Sequence, residues 1–293
     1  ALTSASALSW SDFATGIASG DLDRDGRPDL VAVGGTNLGV SLQSADLGFV
    51  SFVDTALAGA AGGVVLGDLD RDGDLDLVVT IRGLTQDRVE VYPGQGDGTF
   101  GAPFSALTSG DTNPAALLLL DKDRNGVLDA LVAEGSSVQL YRGNGTSLSN
   151  AQAGDSYSAP SPVNALLSGD FNRDGQSDVA AICSAGTLEV RLGSAGFGFG
   201  GAASTTLAAA IGTPSAATLA DIDRDGLIDV IVVGALGLEI LRGDGAGGFT
   251  SQVVETNQTG LRGIAALDLD KDGDLDLLAP HGGGWALYVS SGG

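Results

Sequence analysis

A nine-residue acidic pattern, D-x-[DN]-x-[DN]-G-x-x-D, occurs six times in the 293-residue chain, at residues 21–29, 68–76, 121–129, 170–178, 221–229 and 268–276. Positions 1, 3, 5 and 9 of each copy carry a carboxylate or amide oxygen, and position 7 can add a main-chain carbonyl. Hard oxygen ligands in this number suit calcium, which takes six to eight of them in flexible geometry. Glycine at position 6 permits the tight turn that directs these oxygens to one centre. The pattern therefore predicts six calcium loops.

The predicted ligands follow directly from this register, with position 7 acting through its main chain. They are Asp21, Asp23, Asp25, Arg27, Asp29, Asp68, Asp70, Asp72, Asp74, Asp76, Asp121, Asp123, Asn125, Val127, Asp129, Asp170, Asn172, Asp174, Gln176, Asp178, Asp221, Asp223, Asp225, Leu227, Asp229, Asp268, Asp270, Asp272, Asp274 and Asp276. Asn125 and Asn172 replace acids, and we expect weaker binding in those two loops because an amide carries no charge. About six calcium ions, one per repeat, are expected.

Two other structures compete with calcium loops as explanations of the acidic pattern. An EF-hand requires a bidentate Glu at position 12 and a helix on each side, whereas position 12 here is always Ala or Val and a strand-like apolar run follows. Polar β-turns rich in Asp and Gly would explain a single copy. Six copies in one register favour cation binding.

A basic residue stands at position 4 of every loop: Arg24, Arg71, Arg124, Arg173, Arg224 and Lys271. These residues could form a ring of cations for an anionic partner. The alternative, which we favour, is that each side chain points away from its own cage and offsets the local negative charge.

The loops recur every 47 to 53 residues, a period typical of repeat architectures. Short apolar runs bounded by Gly, Asn, Asp and Ser predict about four strands per repeat, and no segment has helical periodicity over a helical length. Four-stranded units at this period predict a β-propeller. The expected fold is all-β, a six-bladed β-propeller of four-stranded antiparallel blades in a single domain, residues 1–293.

The chain resembles the FG-GAP (integrin α-subunit-like, also VCBS) repeat family. Its name motif stands at Phe100-Gly101-Ala102-Pro103, with degenerate forms at residues 199–202 and at Phe249, and it is unclear in the third and sixth repeats. The resemblance implies a calcium loop between the first two strands of each blade. Well-known members have seven blades, and a truncated seven-bladed protein is the alternative here. We expect residues 1–9, which resemble an outer strand, to complete the sixth blade and close the ring.

The composition limits the partners and the location of the protein. The net charge is −23; six divalent cations add twelve positive charges and leave about −11. This acidity disfavours a nucleic-acid partner, and no direct membrane insertion is expected. Cys183 is the single cysteine and lies in an apolar run, so we expect a core residue. Loops this rich in carboxylates suit millimolar calcium, which favours an extracellular protein, secreted or at the cell surface.

Catalysis is not expected. His281 is the single histidine, and no nucleophile, zinc, phosphate or dinucleotide motif accompanies it. Glu90, Glu189 and Glu239 share one register, with Gln139 equivalent, and paired carboxylates can hydrolyse glycosides. Equivalent positions in different blades are far apart, so we interpret these residues as making repeated local contacts. A polysaccharide-active enzyme remains a minor alternative.

The resemblance also implies that partners bind the face opposite the calcium loops. The candidate residues on that face are Trp10, Arg82, Asp87, Arg88, Tyr157, Arg262 and Trp285. Aromatic and arginine side chains are enriched at binding hot spots, although each Trp could equally serve blade packing. The expected function is adhesion or protein interaction, with calcium mainly structural. The alternatives are a lectin that holds glycans between blades and a structural surface or filament subunit.

Overall fold

The computed structural model describes residues 10, 14–46, 48–83, 87–107, 114–149, 156–254, 258–282 and 284–290. The segment 1–9, predicted to close the ring, lies outside these residues. Apart from one turn of 3-10 helix at Ala209–Ile211, the described elements are all strands. No helix in the described part of the chain is long and apolar enough to cross a membrane.

The chain forms two compact units. The first contains residues 1–121, 125–134 and 139–153, and the second contains residues 122–124, 135–138 and 154–293. In the first unit, one sheet holds β1 (Gly16–Gly20), β2 (Asp29–Gly34), β3 (Asn37–Ser41) and β4 (Val53–Ala56). The next holds β5 (Ala60–Gly67), β6 (Asp76–Arg82), β7 (Arg88–Tyr92) and β8 (Phe104–Leu107). The third contains β9 (Pro114–Leu120), β10 (Asp129–Glu134) and β11 (Ser137–Tyr141).

The second unit begins with the short strand β12 (Ser156–Ser158). The fourth sheet holds β13 (Val163–Gly169), β14 (Asp178–Cys183), β15 (Thr187–Gly193) and β16 (Phe199–Thr206). The fifth holds β17 (Pro214–Ala220), β18 (Asp229–Gly234), β19 (Gly237–Gly243) and β20 (Phe249–Val254). The sixth contains β21 (Ala265–Leu267), β22 (Asp276–His281) and β23 (Gly284–Tyr288). These six small antiparallel sheets confirm the predicted class, an all-β, six-bladed β-propeller.

The second strand of most sheets is buried along nearly its whole length and forms a central part of the core. In β18, with sequence DVIVVG, all six residues are buried, and β10 and β14 show the same pattern. A continuous apolar run is expected for a strand covered on both faces. Successive sheets pack through these strands: Val31 and Val33 join Leu77 and Val79 in one cluster of the first unit. Packing in the core therefore fixes the position at which the second strand of a sheet begins. Each acidic loop ends at that position.

Candidate functional site

Each acidic loop connects the first two strands of its sheet, as the resemblance implied. The loop at 68–76, for example, leaves β5 at Gly67 and enters β6 at Asp76. The glycine at position 6 has φ between 77° and 92° in all six loops. The basic residue at position 4 also has positive φ, between 58° and 66° in all six. Left-handed backbone costs a residue with a side chain about 1–2 kcal/mol, so the loop conformation is held by other contacts.

Main-chain amides of the loop hold its acidic side chains in place. One carboxylate oxygen of the position 1 Asp accepts the N–H of the position 6 Gly in every loop, at 2.7–3.2 Å. The position 5 side-chain oxygen accepts the N–H of position 7, at 2.6–2.9 Å. These bonds fix the side-chain oxygens of positions 1 and 5 relative to the turn.

The position 9 Asp fastens the loop to its sheet. In the second loop Asp76 is 2% exposed, and its two carboxylate oxygens accept the N–H groups of Leu69 and Gly94, both at 2.8 Å. All six loops have the equivalent of the Gly94 bond, at 2.6–2.9 Å, and five have the described equivalent of the Leu69 bond. Burial raises the pKa of Asp76, and these amides act in the opposite direction. Position 9 is thus a structural clamp in addition to a predicted cation ligand.

In four loops, each of which lies entirely within a single unit, three carboxylates converge. One oxygen of each carboxylate lies within 4.8 Å of the other two. The groups are Asp21, Asp23 and Asp25; Asp68, Asp70 and Asp76; Asp221, Asp223 and Asp225; and Asp268, Asp270 and Asp276. In the third loop Asp121 and Asp129 belong to the first unit and Asp123 to the second. In the fourth, Asn172 donates to Asp174 through its amide.

Two carboxylate oxygens of the loops are buried acceptors of the kind that a divalent cation would coordinate. Asp68 Oδ1 and Asp221 Oδ1 have no hydrogen-bond partner within the described residues. A buried acceptor without a partner costs roughly 1–3 kcal/mol, and more when it is charged. Hard oxygen ligands around such an atom match the preference of calcium.

The basic residue at position 4 contacts the next loop along the chain. Arg71 donates from Nε to the carbonyl of Gly126 and from Nη2 to that of Asn125, both at 2.8 Å. Arg24 makes an ion pair with Asp74 and donates to the carbonyl of Asp72 at 3.2 Å.

The second unit repeats the arrangement. Arg173 donates to the carbonyl of Gly226, and Arg224 Nη1 lies 2.9 Å from Asp274 Oδ1. We call these contacts loop struts. These contacts were not predicted from the sequence, although the base at position 4 of every copy was a signal for them. They favour a local electrostatic role for that base.

The recurring glutamates are buried and make local contacts, as expected. Glu90 is 3% exposed and accepts Arg88 Nε at 2.6 Å and the Tyr92 hydroxyl at 2.7 Å. Glu239 is fully buried and accepts the N–H of Ala208 at 2.8 Å and the hydroxyl of Ser251 at 2.5 Å.

The other two residues at this position, Glu189 and Gln139, also make local hydrogen bonds. Glu189 accepts Arg191 Nε at 2.8 Å, and Gln139 donates to Glu134 at 2.9 Å. Each of these polar side chains is paired within its own unit. The register is therefore a structural device that ties strands together.

The predicted partner-binding residues differ widely in exposure. Trp285 is 69% exposed, and Arg82 and Arg262 are exposed as well. Asp87 is only 1% exposed and accepts the N–H of Gly83 at 3.2 Å. The surface open to a partner at these positions is therefore smaller than the sequence suggested.

The remaining candidates are engaged in packing or pairing. Tyr157 is buried, with its ring 5.1 Å from that of Phe199 and 4.6 Å from the Arg191 guanidinium. Trp10 donates to Asp54 at 2.6 Å beside Phe52. Arg88 is paired with Glu90, as described above. Trp285 is thus the aromatic candidate with the most free surface.

Solved structures of similar fold include a lectin, a protein complex and a propeller. A lectin from Agrocybe aegerita, described as recognising non-reducing terminal N-acetylglucosamine, has a TM-score of 0.60 at 20% identity, over 89% of this chain and 73% of the lectin. BBS1N in complex with ARL6DN gives 0.62 at 12% identity, over 94% of this chain and 78% of that one. The Dos1 propeller gives 0.61 at 10% identity, over 94% and 67%. At these identities the likeness shows the fold alone.

Comparison with curated proteins gave no match. The family model described as FG-GAP-like repeat matches residues 21–79, 68–132, 121–181, 170–232 and 221–279. Each match begins at one acidic loop and ends in the strand after the next, so together they cover most of the chain. This protein therefore belongs to the FG-GAP-like repeat family.

Proposed function

We propose that this protein is an extracellular, calcium-stabilised β-propeller that acts as an adhesion or protein-interaction module, with calcium in a mainly architectural role. The observation that carries the proposal is the set of acidic loops whose side chains are already oriented by main-chain amides. A fold held together by six such loops suits a compartment where calcium is millimolar. The exposed Trp285, Arg82 and Arg262 are the side chains offered to a partner.

The architectural role follows from charge and connectivity. Each loop carries three to five acidic side chains whose mutual repulsion opposes the turn. Bound calcium would supply the compensating positive charge at the centre of the turn. Asp76 joins this centre to Leu69 and to Gly94 beyond β7, so order in the loop extends to three strands of its blade. The struts carry that order to the neighbouring loop.

A lectin is the second candidate. The similar fold of the Agrocybe aegerita lectin and the exposed indole of Trp285, which suits stacking on a sugar ring, both favour it. Burial of Tyr157 and pairing of Trp10 weigh against several equivalent sugar sites. BBS1N, which has a similar fold, was solved in complex with ARL6DN. We therefore place protein interaction first, a lectin second and a structural surface or filament subunit third, and we expect no enzymatic activity.

A glycan array and a protein pull-down, each run in millimolar calcium and in excess chelator, separate these candidates. The proposal predicts calcium-dependent capture of a protein and a blank array. It also predicts that Trp285→Ala weakens capture, whereas Val253→Ala, a change at another exposed apolar residue, leaves it unchanged. Calcium-dependent binding to one sugar class would favour the lectin instead. Light scattering that shows self-association in calcium would favour the structural subunit.

A further inference from the structure

A cavity of about 560 Å³ lies in the first unit between the outer parts of the first two sheets. Leu38 and Tyr92, which are 2% and 5% exposed, contribute its most buried surface. The Tyr92 hydroxyl donates to Glu90 at 2.7 Å, so the ring offers the cavity mainly apolar surface. Volumes of 300–1,000 Å³ with apolar walls are typical of small-molecule sites.

Main-chain hydrogen bonds fix the position of each wall of the cavity. On one side, Val50 donates its N–H to Leu42 at 3.0 Å, and this hairpin leads into β4, which carries Val53. On the other side, Gly98 donates to Leu22 at 3.0 Å and Gly101 donates to Pro93 at 2.7 Å.

Position 98 also requires glycine, because of its backbone conformation and its close neighbours. It has φ +82°, and a Cβ there would lie 2.8 Å from Leu42 Cδ2. The segment that carries the family's name motif, Phe100–Pro103, is therefore fixed as one wall of the cavity.

Two exposed valines give the mouth an apolar surface. Val50 is 46% exposed and Val53 is 69% exposed, and both line the cavity. Large apolar side chains exposed together beside a cleft are typical of a binding site.

Asp97 is the one charged residue that lines the cavity among the described residues. Its Oδ1 accepts the hydroxyl of Thr99 at 2.6 Å and the N–H of Thr99 at 3.0 Å. These hydrogen bonds lower the pKa of Asp97, so it is ionised at neutral pH. The chain as a whole is acidic, with a net charge of −23 that six bound divalent cations would reduce to about −11, so it repels anions and attracts cations.

We propose that this cavity binds a small amphiphilic amine, with the apolar body between Val53 and Phe100 and the cationic nitrogen at Asp97. A sugar is disfavoured here because the walls offer few polar groups to pair with its hydroxyls. An anion is disfavoured by Asp97 and by the net charge. This site is independent of the proposed adhesion role, because none of its lining residues is among the candidate partner-binding residues.

Calorimetric titration of the calcium-loaded chain with 4-phenylbutylamine, 4-phenylbutanol and 4-phenylbutyrate tests the proposal. The amine should bind three- to fivefold more tightly than the alcohol, as expected for one exposed ion pair, and the carboxylate most weakly. Asp97→Asn should abolish the preference for the amine while leaving the alcohol unchanged.

Val53→Lys places a competing cation at the mouth and should lower amine affinity at least tenfold. Val253→Lys, at an exposed valine of β20, is the matched control and should not change it. No binding of either amine or alcohol, equal binding of all three probes, or equal effects of the two lysine variants would overturn the proposal.

Discussion

Replacing Arg71 by alanine removes one complete loop strut and tests whether neighbouring loops support each other. Arg71 makes two charge-assisted hydrogen bonds of 2.8 Å to the third loop. Buried bonds of this kind contribute about 1.5–3 kcal/mol each, but Arg71 is exposed and solvent screens them, so we expect a total of about 1 kcal/mol. For a chain of this size that loss lowers the melting temperature by about 2 °C.

Two further variants separate the strut from the backbone strain. Arg71→Gly also removes the strut but relieves the left-handed conformation at φ +66°, so it should be more stable than Arg71→Ala by about 1 kcal/mol. Arg82→Ala changes an exposed arginine at the end of β6 and should shift the free energy of unfolding by less than about 0.5 kcal/mol. Calorimetric melting in millimolar calcium measures all three. A melting temperature of Arg71→Ala equal to that of Arg82→Ala would refute the strut. A melting temperature of Arg71→Gly below that of Arg71→Ala would refute the backbone strain.

Three further predictions concern buried groups. Glu239→Ala leaves two donors without an acceptor and should destabilise the protein by about 1–3 kcal/mol in urea unfolding; an unchanged midpoint would show that the pairing is dispensable. In chelator, Asp276→Ala should lower the melting temperature more than Asp270→Ala, because Asp276 clamps two amides; equal losses would contradict the clamp. Burial raises the pKa of the Cys183 thiol, so a thiol reagent at pH 8 should react with it only after denaturation; rapid labelling of the native chain would contradict this.

The sequence predicts the repeat and the loops because both depend on local chemistry. The register of carboxylates places each loop between two strands, and the apolar run after it predicts the buried second strand. The predicted fold class is confirmed for the same reason, since four-stranded units at this period pack as blades.

Features that depend on how the chain folds back on itself could not be predicted from the sequence. Asp87 was expected on a binding surface because it stands among polar loop residues, but it folds back to accept the N–H of Gly83 and is buried. Tyr157 is covered by Phe199, more than forty residues away along the chain. The basic residue at position 4 has positive φ in all six loops. The residue type alone does not predict this backbone conformation, so the contact with the next loop could not be predicted either.

The measurement that tests the account most directly is thermal unfolding of the full chain in millimolar calcium and in excess chelator. If the six loops are calcium cages, removing the cation leaves their carboxylates uncompensated, and the melting temperature should fall sharply and recover when calcium is returned. Magnesium at the same concentration should restore less of it, because magnesium demands stricter octahedral geometry. An identical melting curve in calcium and in chelator would contradict the central claim.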